Sequence, residues 1–232
     1  MKKKPDSNFP ETYWEHVYTH DIESIPNYVS SFAKFTIEFL SRNEQHYQNS
    51  FNSLIEIACG NCRDFGFLSS HFKNSIAVDI SIPDEIVKNH SFITSTGQPA
   101  LLKKTDIFSL PSEFFSSLNV IYSRWFLHTM NWGTMVSFLN LIFNSTNSNT
   151  FYFFEFRSIR DELFKKGTQV KNDTYGYFTD HYRRFTDPTE FVDLLNTKFP
   201  DIKIIHFEET DNISIIKDSN PTVIRCILKQ SK

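Results

Sequence analysis

The stretch SLIEIACGNCRDFGFLSSHFKNSIAVDIS (53–81) carries the pattern that decides the fold. SLIEIA predicts a short buried strand, GNCR a turn, DFGFLSSHF a helix, and SIAVDI (75–80) a second strand. Asp64 stands near the start of the predicted helix, where the helix dipole favours negative charge. A strand, a helix and a strand in succession predict a βαβ unit with parallel strands and a right-handed crossover.

The same alternation continues on both sides of this unit. It predicts helices over 30–40, 81–89, 188–199 and from Trp125 to Phe143, and strands at 101–108, 117–123, 149–156, 202–209 and 221–229. We therefore expect an α/β fold with a doubly wound, mostly parallel seven-stranded sheet that ends in an antiparallel hairpin. We expect one domain over 1–232, with an N-terminal helical or lid segment (1–50) and an insertion (158–186).

Composition narrows the classes of function. The net charge of −3 and the pI of about 6.2 give no reason to expect binding to nucleic acid. We expect no membrane span, since no run approaches the roughly 20 apolar residues that a span needs, and no secretory signal, since the first residues lack an apolar core. Three cysteines make no disulfide framework, and the single C-x-x-C (59–62) lacks a second pair for a metal. We expect a cytoplasmic protein without a metal site, and its oligomeric state stays open.

Three carboxylates fall at or near the ends of predicted strands: Glu56, Asp79 and Asp106. Ligands of an open α/β sheet bind beyond the carboxyl ends of its strands. Asp79 follows Gly60 by 19 residues, a spacing that suits a carboxylate binding the ribose hydroxyls of an adenosine. Gly60 lets the backbone approach a ligand closely.

From about residue 28 to its end, the chain resembles the class I S-adenosylmethionine-dependent methyltransferases, which have a Rossmann-like fold. EIACGNC (56–62) matches their acidic-x-Gly-x-Gly-x-Gly motif at Glu56 and Gly60, while Ala58 and Cys62 stand where the family usually has glycine. Asp79, TDIF at Asp106, YSRWFLHTM (122–130) and the closing NPTVIRCILK match later elements in order. The resemblance implies S-adenosylmethionine as the cofactor, bound by residues at the strand ends: Glu56, Ala58, Gly60, Asp79, Ile80, Asp106, Ile107 and Ser123. Tyr13, Trp14 and Tyr18 either fold over this cofactor or belong to the core.

The insertion concentrates basic residues next to the predicted fifth strand. Arginine suits bidentate binding of phosphate or carboxylate, so we expect Arg157, Tyr182, Arg183 and Arg184 to bind the substrate. Alternatively, Arg183 and Arg184 pair with Asp180 and Asp187. FEFRS, KKG and HYRRF resemble small bacterial methyltransferases of surface-glycan or tailoring pathways, which implies a small anionic or sugar-linked acceptor and favours O-methylation. His128 and His181 are the candidate catalytic bases for a hydroxyl acceptor, although His128 also suits a purely structural role.

Two other functions compete with this interpretation. A nicotinamide-dependent oxidoreductase needs the phosphate-binding G-x-G-x-x-G, which is absent here because Ala58 and Arg63 occupy glycine-type positions. A degenerate methyltransferase fold kept as a binding partner is the other alternative, and Ala58 and Cys62 would be its marks.

Overall fold

The computed structural model describes residues 10–21, 25–47, 51–216 and 219–231. Its helices are α1 (Pro10–His20), α2 (Ser31–Tyr47), α3 (Phe65–Ser69), α4 (Asp84–Asn89), α5 (Trp132–Ser145) and α6 (Pro188–Lys198). Its strands are β1 (Ser53–Ile57), β2 (Asn74–Asp79), β3 (Leu101–Lys104), β4 (Val120–Arg124), β5 (Phe151–Arg157), β6 (Thr168–Gln169), β7 (Gly176–Phe178), β8 (Tyr182–Arg184), β9 (Ile202–Thr210) and β10 (Val223–Gln230). Residues 1–9, 22–24 and 48–50 of the predicted N-terminal segment lie outside the described residues.

Among the described residues, seven strands form one large sheet in the order β3-β2-β1-β4-β5-β10-β9. Strands β1 to β5 pair in parallel, and β10 pairs antiparallel with both β5 and β9. The predicted seven-stranded sheet and its terminal hairpin are confirmed. The order reverses between β1 and β4, which makes the carboxyl ends of these strands the expected place for a ligand.

Helices cover both faces of the large sheet, as its aromatic strands require. Along β5, Phe151 and Phe153 pack in the cluster that contains α2 and α3, whereas Tyr152, Phe154 and Phe156 pack in the cluster that contains α5 and α6. Successive side chains of a strand point to opposite faces. A strand whose every residue is buried is therefore one with helices on both sides.

Some predicted elements have the wrong bounds, and the helix predicted over 30–40 continues to Tyr47. The helix predicted from Trp125 begins only at Trp132, because Trp125 has a φ of 63° and the Asn131 side chain caps α5 by accepting a 2.9 Å bond from Thr134 N. The strand predicted over 101–108 ends at Lys104, because Asp106 accepts a 3.0 Å bond from Phe108 N and starts a 3₁₀ turn.

The insertion (158–186) contains a second sheet that its sequence pattern does not reveal. The short strands β6, β7 and β8 form it in sequence order, and all pair antiparallel. Strands of two or three residues are too short to show an alternation of polar and apolar positions. Thr186 N donates to Arg157 O at 3.0 Å, which ties the end of this small sheet to the end of β5.

A buried carboxylate joins the strand ends on the side of the hairpin. Glu155 is fully buried and accepts bonds from Arg124 Nε (2.8 Å), Trp125 Nε1 (3.0 Å), Ser214 Oγ (2.8 Å) and Arg225 Nε (2.6 Å). Burial alone would raise the pKa of Glu155, but the two arginines lower it below its usual value. The carboxylate therefore stays ionised, and it fixes β4, β5, β10 and the loop before β10 to one another.

Replacing Glu155 with glutamine tests this role. We expect Glu155→Gln to lower the free energy of unfolding by about 3–5 kcal/mol, because it leaves two buried arginines without their counter-charge. Urea denaturation measures the change. Glu208→Gln, at a more exposed glutamate of β9, is the matched control and should lower the free energy of unfolding by less than about 1 kcal/mol. Similar decreases in both variants would contradict the role of Glu155.

Candidate functional site

A cleft of about 1020 Å³ opens at the carboxyl ends of β1, β2 and β3. One side is built by the strand ends and the residues after them, and these include five of the predicted cofactor residues: Ala58, Asp79, Ile80, Asp106 and Ile107. The other side is built by the residues before and at the start of α5 and by the insertion, which contributes the predicted substrate residues Tyr182 and Arg184. The volume is at the upper end of the roughly 300–1,000 Å³ usual for small-molecule sites.

Asp79 holds the loop after β1 against the cleft. Its Oδ2 accepts a bond from Gly60 N at 2.9 Å, and its Oδ1 accepts one from Ser81 N at 2.8 Å. Ala58, Gly60 and Cys62 have φ values of 60°, 54° and 57°, in the left-handed region that favours glycine. The loop therefore keeps a glycine-type backbone at the two positions where the sequence departs from the family motif.

The side chain of Cys62 does not enter the cleft. It is 2% exposed and packs with Cys59 and Phe65 in an apolar cluster beneath the loop, with 3.6 Å between the two sulfur atoms. Burial raises the pKa of the Cys59 thiol, which keeps it protonated. In the part of the chain that the structure describes, no group of three His, Cys, Asp or Glu side chains is placed to hold a metal ion.

Three predicted cofactor residues lie behind the wall of the cleft. Glu56 is buried, its Oε2 has no hydrogen-bond partner among the described residues, and burial next to Asp64 raises its pKa. Ser123 is fully buried and donates to Ile57 O at 3.0 Å. Gly60 is covered by helix α1, because a Cβ at this position would collide with the Tyr18 hydroxyl.

Helix α1 connects the Gly60 loop to the insertion through aromatic contacts. The ring of Trp14 stacks on Tyr18 with 5.8 Å between centroids and meets the edge of His181 at 5.3 Å. The ring of Tyr13 lies 4.3 Å from that of His181, and its hydroxyl donates to Asp180 Oδ2 at 2.8 Å. Within α1, Tyr18 packs over Gly60, and Tyr13 and Trp14 cover His181, one of the two candidate bases.

Both candidate bases are buried and neutral. Burial, together with the nearby Arg157 and Arg183, lowers the pKa of His128 well below its usual value. Burial also lowers the pKa of His181, although Asp180 at 3.1 Å acts in the opposite direction. His128 Nδ1 has no hydrogen-bond partner among the described residues. Neither histidine lines the cleft described above.

Carboxylates compensate the predicted basic cluster. Arg157 donates to Asp161 at 2.6 Å, Arg183 pairs with Asp180, and Arg184 Nη2 donates to Glu190 at 2.7 Å. The alternative that Arg183 pairs with Asp180 is thus found. Asp187 does not pair with Arg184, because it caps α6 by accepting from Thr189 N at 2.8 Å. Sequence reasoning missed Asp161 and Glu190, and also Trp132 and Tyr175, because spacing along the chain does not show which side chains meet in the folded protein.

No protein-family model and no curated protein sequence matches the chain. Solved structures do. An S-adenosylmethionine-dependent methyltransferase from Clostridium acetobutylicum superposes with a TM-score of 0.65 at 16% identity, over 94% of this chain and 97% of that one. The plantazolicin methyltransferase in complex with S-adenosylhomocysteine gives 0.62 at 12% identity over 94% of both chains. A 1,6-didemethyltoxoflavin-N1-methyltransferase from Burkholderia thailandensis gives 0.57 at 11% identity, over 83% of this chain and 76% of that one. The protein therefore has the Rossmann-like fold of class I S-adenosylmethionine-dependent methyltransferases. No helix of the described residues is long and apolar enough to cross a membrane.

The close contact between Gly60 and Tyr18 predicts the effect of adding one methyl group. We expect Gly60→Ala to destabilise the protein by more than Gly97→Ala, as measured by urea denaturation. Gly97 also has a positive φ, but a Cβ there meets open space, so its replacement costs only the roughly 1–2 kcal/mol of left-handed strain. Equal losses at the two positions would show that α1 does not press on the loop.

The lowered pKa values of the two histidines predict an acid-sensitive fold. An unfolded histidine takes up a proton below about pH 6.5, whereas His128 in the folded state does not until the pH is lower. The unfolded state then binds more protons, so the free energy of unfolding decreases as the pH is lowered through this window. The decrease is at most about 1.4 kcal/mol per pH unit for each histidine. His128→Gln should reduce the slope of the unfolding free energy against pH between pH 6.5 and 5, whereas His71→Gln, at an exposed histidine, should leave the slope unchanged. Equal slopes in the unaltered protein and both variants would show that His128 does not cause the acid sensitivity.

Proposed function

We propose that the protein transfers the methyl group of S-adenosylmethionine to a small acceptor bound in the cleft, with O-methylation favoured. The observation that carries this proposal is Asp79, which ends β2, binds Gly60 N and lines the cleft at the point where the strand order reverses. A carboxylate at this position suits the hydroxyls of a ribose. The glycine-type backbone at Ala58 and Cys62 supports the proposal over a degenerate fold, because the loop geometry is kept despite the added side chains.

The remaining cofactor residues have roles that follow from their places. Ile80 and Ile107 line the cleft on either side of Asp79 and Asp106, and they would hold a flat adenine between apolar surfaces. Ala58, at the start of the loop 58–62, lines the cleft and would lie along the methionine part, with the buried Glu56 behind it and Gly60 covered by Tyr18. When bound, S-adenosylmethionine supplies an electrophilic methyl group on a sulfonium, and the aromatic rings of α1 suit a cationic neighbour.

On the acceptor side, the protein has to position an oxygen and remove its proton. His128 and His181 are the candidate bases, and both are neutral because burial and nearby arginines lower their pKa values. Since neither lines the cleft, either would act as the base only if the acceptor reached past the lining residues. Tyr182 and Arg184 line the cleft and would contact the acceptor directly, whereas Arg157 and Arg183 lie behind them. Arg184, which lines the cleft, has a buried Nη1 without a hydrogen-bond partner among the described residues, and this supports an acceptor that carries an anionic oxygen. An acceptor linked to a surface glycan, as the narrower resemblance implies, remains part of this proposal.

Calorimetric titration with S-adenosylhomocysteine tests the proposal. We expect Asp79→Ala to weaken binding by at least about tenfold, because one hydrogen bond to a charged group contributes about 1.5–3 kcal/mol and 1.4 kcal/mol is a factor of ten. Asp84→Ala, at an exposed aspartate five residues along that pairs with Lys104, is the control and should bind like the unaltered protein.

Absence of binding by the unaltered protein at millimolar S-adenosylhomocysteine would overturn the proposed function and favour the binding-partner alternative. Equal binding by the unaltered protein and Asp79→Ala would remove Asp79 from the cofactor site. A thermal melt of each variant confirms that it is folded.

A further inference from the structure

The cleft continues past the strand ends into a part that the cofactor residues do not build. We name this part the distal arm and define it by six lining residues: Trp132, Asp173, Tyr175, Tyr182, Arg184 and Glu190. Trp132 begins α5, Glu190 lies in α6, and the other four belong to the insertion. The arm is therefore a meeting place of three elements outside the parallel part of the sheet.

Arg184 is the central group of the distal arm. It is 3% exposed, and its guanidinium lies 4.3 Å from the Trp132 ring centroid and 5.3 Å from that of Tyr175. Its Nη2 donates to Glu190, but its Nε and Nη1 have no hydrogen-bond partner among the described residues. A buried N–H without an acceptor is unfavourable, because it has lost its hydrogen bond to water. An oxygen atom of a ligand in the arm would remove that cost.

The acidic side chains around Arg184 are already held in place. Asp173 accepts from the Tyr182 hydroxyl at 2.8 Å and from Tyr175 N at 3.2 Å, and its Oδ1 lies 3.7 Å from Arg184 Nε. Together with Lys171, which also lines the cleft, the arm has two positive and two negative side chains. Its charge is balanced, so it does not suit a multiply charged anion. Its surface is instead aromatic, and one of its two cations, Arg184, is buried with N–H groups that have no hydrogen-bond partner among the described residues.

We propose that the distal arm is the acceptor subsite, and that it takes a planar ring whose edge carries one oxygen acceptor, such as a carboxylate or a carbonyl. The ring would pack against Trp132 and Tyr175, and the oxygen would accept from Arg184. This inference rests on the proposed function and specifies its acceptor. The acceptor would be recognised by its flat shape and by one charged contact with Arg184, whereas the sequence indicates only a basic cluster.

Benzoate is the probe, because it is a planar ring with one carboxylate. Cyclohexanecarboxylate keeps the charge without the flat ring, and benzyl alcohol keeps the ring without the charge. Binding of each is measured by calorimetry and by saturation-transfer NMR, on protein with and without saturating S-adenosylhomocysteine. We expect benzoate to bind at least about threefold more tightly than either analogue, since an aromatic contact adds about 0.5–1.5 kcal/mol beyond its buried area.

Tyr175→Leu should weaken benzoate binding by about threefold or more and leave S-adenosylhomocysteine binding unchanged. Tyr28→Leu is the matched control, because Tyr28 also packs on an arginine, Arg63 at 5.0 Å, but does not line the cleft. Trp132→Leu is a second variant in case Tyr175→Leu does not fold. The inference is overturned if benzoate does not bind, if the three probes bind alike, or if neither folded arm variant weakens binding. Failure of S-adenosylhomocysteine binding alone, with benzoate binding that depends on Tyr175, would overturn the proposed function and leave the distal arm as a ring-binding site.

Discussion

The carboxylate of Glu155 lies where β4, β5, β10 and the loop before β10 meet, and it accepts bonds from two arginines, an indole and a serine. A buried carboxylate is tolerated only when such partners replace the water it has lost. Through Trp125, this arrangement extends to the candidate site. The Trp125 ring, held by Glu155, lies 4.8 Å from the Arg157 guanidinium and 5.8 Å from the His128 ring. The candidate base His128 and Arg157 at the end of β5 are therefore positioned by a residue that does not itself line the cleft.

A second constraint acts on the Gly60 loop. Asp79 restrains the Gly60 loop from β2, and Tyr18 covers the same glycine from α1. The contacts of Trp14 and Tyr13 with His181 then connect α1 to the insertion. A movement of α1 would alter the surroundings of the loop and of His181 together. Helix α1 thus contacts both the loop that contains Gly60 and the insertion at His181.

The arginines at the end of β5 and in the insertion form a basic segment in the sequence, but in the folded protein nearby carboxylates compensate their charge. Arg157, Arg183 and Arg184 stand in a basic segment, yet each meets a carboxylate: Asp161, Asp180 or Glu190. What distinguishes the distal arm is not an excess of positive charge but a buried guanidinium with N–H groups left over between two aromatic rings. Such a group recognises one oxygen in a defined direction, because a guanidinium donates only in its own plane.

The sequence by itself determined the large sheet, because alternating runs of buried strand and amphipathic helix are local patterns. It also placed Asp79 and Asp106 at or near strand ends, where a ligand of such a sheet is expected. It could not determine where α5 begins. The apolar pattern runs on from Trp125, and neither the left-handed backbone of Trp125 nor the cap at Asn131 interrupts it. Nor could it find the small sheet, whose strands are too short to show a period. Only the tertiary structure decided that Tyr18 covers Gly60, that Glu155 joins two arginines, and that Trp132 and Tyr175 flank Arg184. These contacts bring together residues from elements distant in the chain, and their partners depend on how the insertion and α1 pack, which no local spacing encodes.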